Sequence, residues 1–285
     1  MGTTIDTGTD HVLAEVADGV ATVTLNRPER RNAMSDAMLG ALGPTLARLE
    51  HDPDVGVVVL TGAGGAFCAG GDVKGMAERG GLPQAGGAAR ATLDDRVRLQ
   101  RHSQRETSGR LHRMAKPTIA SLPGAAAGAG LSLAMACDFR IAADTAVLTT
   151  AFANVALAGD YGSAWFLTRL VGSARARELL LLPDRIGAAE AERLGLLHRV
   201  VPAADLGDVT AAMARRLADG PRHTLALMKE NLNLAMHASL DDYMDAEVFH
   251  HVYTSTTADH REAAQAFVDK RPPRFGQDEI DHRSG

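Results

Sequence analysis

Two short alternating runs, Val12 to Val16 and Val20 to Leu25, flank Asp18-Gly19, and this combination predicts a β-hairpin near the start of the chain. Ser35 then precedes apolar residues at three- and four-residue spacing, Met38, Leu42, Leu46 and Leu49, which predicts an amphipathic helix. The dense β-branched run Val55 to Thr61 reads as a buried strand. Thr118 to Leu122 reads as a second, Ala129 to Ala136 as a helix of small and apolar residues, and Phe139 to Ala142 as a third strand. Alternation of this kind favours an α/β core of repeated right-handed strand-helix units over a bundle or a sandwich. From Gly187 onward the pattern is helical apart from a short strand at His198 to Val201, with Leu225, Met228, Leu232 and Met236 on one face. The last helix, Arg261 to Lys270, ends before Pro272-Pro273. Between the runs Val55 to Thr61 and Thr118 to Leu122, Gly75 to Arg90 is rich in Gly and Ala and reads as a mobile loop. It feeds a charged surface helix that reaches Arg113.

Composition narrows the classes. A chain of 285 residues with 45% hydrophobic content can bury a substantial core. A net charge of -5 and an isoelectric point near 6.1 argue against nucleic acid as a partner. The small-residue stretch Thr118 to Cys137 is interrupted by Pro123 and glycines, so no membrane span is expected. Two cysteines, Cys68 and Cys137, in small or apolar surroundings point to a reducing compartment, the cytoplasm, rather than to a disulfide framework. Residues 1–10, polar and acidic, read as a flexible tail without a secretory leader.

Two segments carry the candidate chemistry: Gly62-Ala-Gly-Gly-Ala-Phe-Cys-Ala-Gly-Gly-Asp72 and Pro123-Gly-Ala-Ala-Ala-Gly-Ala-Gly130, each directly after a strand. Missing side chains let a ligand approach the backbone, and the amides near Ala129 point out of a helix N-terminus, where developing negative charge is favoured. Together the two suggest an oxyanion site. The first run is not a dinucleotide fingerprint, because Phe67 stands where the third glycine belongs. His250-His251 and the scattered histidines lack metal-ligand spacing, so no metal is expected.

Five blocks in order resemble the crotonase superfamily of enoyl-CoA hydratases and isomerases: Leu25-Asn-Arg-Pro-Glu-Arg-Arg-Asn-Ala33, Phe67-Cys-Ala-Gly-Gly-Asp72, Lys116-Pro-Thr-Ile-Ala-Ser-Leu-Pro-Gly124 with Gly128-Ala-Gly130, Ala136-Cys-Asp138, and Ala188-Ala-Glu-Ala-Glu-Arg-Leu-Gly-Leu196. The resemblance implies a spiral of ββα units over residues 11–204 and a helical region over 205–285 that builds trimers or paired trimers. It also implies an acyl thioester substrate that brings its own coenzyme A, with no permanently bound cofactor. By position, the Gly71 and Ala129 amides become the oxyanion donors. Arg27, Ala33, Ala69, Lys74 and Lys270 become substrate contacts, Lys270 toward the nucleotide phosphates from a neighbouring subunit. Phe152 and Trp165 are expected to line the acyl pocket or the core.

The paired glutamates of the family's hydratases are absent: the first position aligns with Ser132 and the second with Phe152. Asp160, in Leu157-Ala-Gly-Asp-Tyr-Gly-Ser163, sits where similar isomerases carry a proton-transferring acid, and a lone carboxylate suffices for a double-bond shift. Its alternative role is to cap the helix predicted from Ser163. Asp72 is expected to hold its loop. Two rival functions remain open: an acyl-CoA binding or assembly subunit without turnover, and a serine hydrolase using Ser132 in Gly130-Leu-Ser-Leu-Ala134.

Overall fold

The computed structural model describes residues 2–78 and 92–276; most of the glycine- and alanine-rich run after Gly75 lies outside them. The expected N-terminal tail is instead a strand. Thr3–Ile5 (β1) pairs antiparallel with Val12–Ala17 (β2), because Ile5 is buried in the main core and Thr7 Oγ1 donates to the Thr9 and Val12 carbonyls to close the connection. β2 returns through Asp18 and Gly19 into Val20–Leu25 (β3). Both turn residues have positive φ (51° and 75°), as a two-residue hairpin of the right twist requires. Asp36–His51 (α1) starts at Ser35, whose Oγ accepts the Met38 amide, and buries Met38, Leu42, Leu46 and Leu49 as the spacing predicts.

From here each strand of a large sheet is followed by a strand of a smaller one and then by a helix. Val57–Gly62 (β4) is followed by Ala66–Cys68 (β5), Val73–Glu78 (α2), Leu93–Glu106 (α3) and Ser108–Arg113 (α4). Thr118–Leu122 (β6) is followed by Ala125–Ala127 (β7) and Ala129–Ala136 (α5). Phe139–Ala143 (β8) is followed by Val147–Thr149 (β9) and Ser163–Leu181 (α6), which is broken at Gly172. Ile186–Gly187 (β10), Ala188–Arg193 (α7) and Arg199–Val201 (β11) complete the pattern. The large sheet runs β1-β2-β3-β4-β6-β8-β11, parallel from β3 onward, and the small one runs β10-β9-β7-β5. The result is a spiral of ββα units.

Leu206–Ala218 (α8) covers the second face of the large sheet, placing Leu206, Ala214 and Ala218 against Val57, Val59, Ile119 and Ile141. The core therefore extends beyond residue 204. Arg222–Ala235 (α9), Leu240–Ser255 (α10) and Ala258–Val268 (α11) follow, α10 packing on α9 and α11 on α10. α9 is pinned by Lys229, whose buried Nζ pairs with Asp138 Oδ2 (2.8 Å) and donates to the Leu111 and Lys116 carbonyls. Met228 and Leu232 on the apolar face of α9 stay exposed among the described residues.

Candidate active site

β5 and β7 are parallel neighbours in the small sheet, so the loops leaving their carboxyl ends, Ala69 to Asp72 and Gly128 to Ala129, emerge side by side. Both need glycine. A Cβ on Gly70 (φ 89°) would stand 2.8 Å from Ala127 O and 3.4 Å from Ala129 N, and one on Gly130 would collide with Cys68. Gly128 (φ 51°, ψ -126°) opens α5 in a backbone conformation that side chains avoid. The neighbouring amides are engaged: Ala69 N donates to Arg31 O, Val73 N to Gly71 O and Gly128 N to Thr149 O. Among the described residues the Gly71 and Ala129 amides donate to no backbone carbonyl. Two such amides, one at a helix start, can receive an oxygen that gains negative charge.

The first loop is braced by residues with other duties than ligand contact. Asn32, fully buried at φ 57°, accepts from Arg27 N and donates through Nδ2 to the Ala63 and Ala66 carbonyls, each at 2.8 Å. Arg27 Nη1 donates to Ala33 O (2.7 Å) and pairs with Asp72 Oδ2 (3.3 Å), while Asp72 Oδ1 accepts the Gly75 amide. The Gly75 N–H and the Arg27 guanidinium hold the Asp72 carboxyl below the usual carboxylate range, so it is a fixed anion in the loop frame, as expected. Arg27, Ala33 and Ala69 are parts of this frame. The Arg27 side chain is turned inward, leaving backbone as what this segment can offer a ligand.

Asp160 lies in a tight turn between Gly159 (φ 107°) and Tyr161 (φ 49°), with Gly162 (φ 80°) next. Its Oδ1 is buried without a hydrogen-bond partner, and burial pushes its carboxyl from 3.8 up to about 6. It does not cap α6: Gly162 occupies that position with no side-chain bond. Phe152, 6% exposed, joins the two halves. A Cβ on Gly128 would be 3.8 Å from its ring and one on Gly159 3.9 Å, so a single aromatic ring separates the α5 loop from the Asp160 turn. A half-buried carboxyl poised near neutrality, one ring away from the loop that carries an unengaged amide, is suited to moving a proton on carbon next to a carbonyl.

Other expected residues are elsewhere. The Ser132 hydroxyl is fully buried and donates to Gly128 O within α5, the bond of a packed helix hydroxyl. Trp165 is 38% exposed, edge-on to His112 and Phe166, with the Arg169 guanidinium 3.8 Å above its ring; it belongs to an outer cluster between α4 and α6. Lys74 is exposed on α2, and Lys270 is exposed just past α11 in a left-handed conformation. His250 bonds Asn231. Sequence reasoning passed over Asn32, which sits in a quoted block but looks like one more polar loop residue, and Tyr161, whose role depends on a partner 58 residues away, Ser103.

Residues 15–278 match the model of a family described as enoyl-CoA hydratase/isomerase. The chain is 37% identical over 268 residues to a 1,2-epoxyphenylacetyl-CoA isomerase of Escherichia coli, covering 93% of this chain and 98% of that protein. It is 35% identical to a protein of Mycobacterium bovis named probable enoyl-CoA hydratase echA8, covering 93% and 97%. Among solved structures, an enoyl-CoA hydratase from Bacillus anthracis superposes with a TM-score of 0.83 at 32% identity, covering 93% of this chain and 98% of that one.

Proposed function

Because the chain belongs to the enoyl-CoA hydratase/isomerase family, we propose that it shifts a double bond in an unsaturated acyl-CoA, with Asp160 as the proton carrier and the Gly71 and Ala129 amides as the oxyanion site. The observation that carries this reading is the half-buried Asp160 carboxyl, whose Oδ1 has no hydrogen-bond partner and which is raised to about 6, one aromatic ring away from the α5 loop. Asp160 removes a proton from the carbon beside or conjugated to the thioester carbonyl. The resulting enolate oxygen rests on the two amides, each such donor contributing on the order of 3 kcal/mol to the transition state. The same carboxyl then returns the proton to a different carbon, so atoms and charge balance without a co-reactant. Hydration needs a second group to activate water. At the two positions where the resembling hydratases place glutamates, this chain has a Ser132 hydroxyl bonded to Gly128 O and the Phe152 ring, which favours isomerisation.

The substrate supplies the coenzyme A. Backbone after Arg27, with Lys74 and Lys270, is assigned to its phosphates, and Phe152 to the acyl end, while Trp165 stays in its outer cluster. The exposed apolar side chains Leu232, Val248 and Phe249 on α9 and α10 support a homotrimer or a dimer of trimers, in which Lys270 serves a neighbouring subunit. Cys68 and Cys137 are buried free thiols, consistent with a cytoplasmic setting, and no described helix is long and apolar enough to cross a membrane.

The test is to supply 3-enoyl-CoA and 2-enoyl-CoA separately and follow products by mass. Double-bond migration is expected, falling at least a hundredfold in Asp160→Asn. No turnover of either ester, or unchanged turnover in Asp160→Asn, refutes the assignment. Calorimetric binding of both esters without product from either identifies a binding subunit instead.

A further inference from the structure

The Asp160 turn contains a backbone conformation that needs an explanation. Gly159 and Gly162 take positive φ without steric penalty, but Tyr161 between them also does, at 49°, and a bulky residue there costs on the order of 1–2 kcal/mol. Such strain persists only where surrounding structure enforces it. The enforcement is visible: the Tyr161 ring is 2% exposed within the main core, and its phenol oxygen lies 3.0 Å from Ser103 Oγ of α3. Asp160, in contrast, has a side-chain oxygen with no hydrogen bond to aim it. Its direction is therefore set by the backbone of its turn, and that backbone is held by its neighbour.

We propose that Tyr161 is a positioning residue for Asp160, its phenol fastened to Ser103 so that helix α3 holds the strained turn that carries the carboxyl. This rests on the reading of Asp160 as proton carrier. Tyr161 takes no part in proton transfer: burial pushes its phenol up to about 12, and the titratable groups facing it are Asp160 and Cys68, whose thiol is likewise raised to about 12. It acts by keeping the carboxyl still and out of water.

Tyr161→Phe keeps the ring and deletes the bond. In the full-length protein, kcat is expected to fall roughly tenfold to a hundredfold with KM within about twofold, since misplacement of a catalytic group by ~1 Å has that order of effect. In addition, the acid limb of the pH profile, set by Asp160 near 6, moves toward the ordinary carboxylate range as the loosened turn admits water. Ser103→Ala, a half-buried helix position that accepts alanine readily, removes the same bond from the other side and gives a change of the same sign and similar size. A purely structural phenol lowers the melting temperature but leaves the acid limb in place. If both variants keep the wild-type kcat and limb while Asp160→Asn loses turnover, the positioning role is wrong and the proton carrier stands. If Asp160→Asn retains turnover, the proton carrier is wrong, and the positioning role falls with it.

Discussion

Replacing Asp160 by asparagine should make the folded protein more stable while abolishing its activity, and the gain should depend on pH. Burial moves the carboxyl from 3.8 to about 6 without a compensating hydrogen bond on Oδ1. Multiplying the interval of roughly 2 pH units by about 1.36 kcal/mol per unit puts the cost of ionising it in the folded state at about 3 kcal/mol. Part of the carboxyl touches solvent, so about 2 kcal/mol is the working figure. The folded protein binds this proton more tightly than the unfolded chain. Stability contributed by the protonated form is therefore complete below about 4, is lost as pH rises to about 6, and stays lost above that. Asparagine has nearly the same shape and does not titrate. Urea unfolding followed by circular dichroism, at one protein concentration so that any assembly contributes equally, should show Asp160→Asn about 2 kcal/mol more stable at pH 7.5. The advantage should shrink toward zero near pH 4.5. A variant that is no more stable at pH 7.5, or whose advantage is the same at both pH values, would refute the claim that this carboxyl is held ionised against its surroundings.

Three further substitutions test the frame around it. Gly130→Ala, whose methyl would collide with Cys68, should push α5 away from β5, lowering stability by about 2 kcal/mol and turnover more than tenfold; calorimetric melting and the double-bond assay read both. Lys229→Met leaves Asp138 without its 2.8 Å partner and should cost about 3 kcal/mol in urea unfolding, with α9 losing hydrogen-exchange protection first. Leu232→Asp combined with Val248→Asp places charge on side chains 70% and 65% exposed within the chain. If the C-terminal face is the assembly surface, sedimentation should show the double variant as a smaller species than the unsubstituted protein; an unchanged sedimentation coefficient counts against that surface.

Local order was legible in the sequence because it depends on period and on a few backbone-permissive residues. Asp18-Gly19 announced its hairpin, Met38 to Leu49 their helix, and the glycine segments their close approach, which the collisions expected at Gly70 and Gly130 now explain. The resemblance of five blocks carried the ββα spiral, and Asp160 stood out as a separate acid once Ser132 and Phe152 were found at the two glutamate positions. The N-terminal strand β1 was not legible, since Thr3 to Ile5 is too short to show a pattern and is held by pairing with β2. Nor was the placement of α8 on the large sheet, which depends on packing between residues far apart in the chain. Above all, an aspartate's type says nothing about its burial. That Asp160 Oδ1 lacks a partner, that Phe152 spans the two loops and that Ser103 fastens Tyr161 across 58 residues are consequences of sheet register and helix docking. Periodicity along the chain chooses elements. Only their packing decides which polar groups lose water, and that loss is what raises the Asp160 carboxyl toward neutrality.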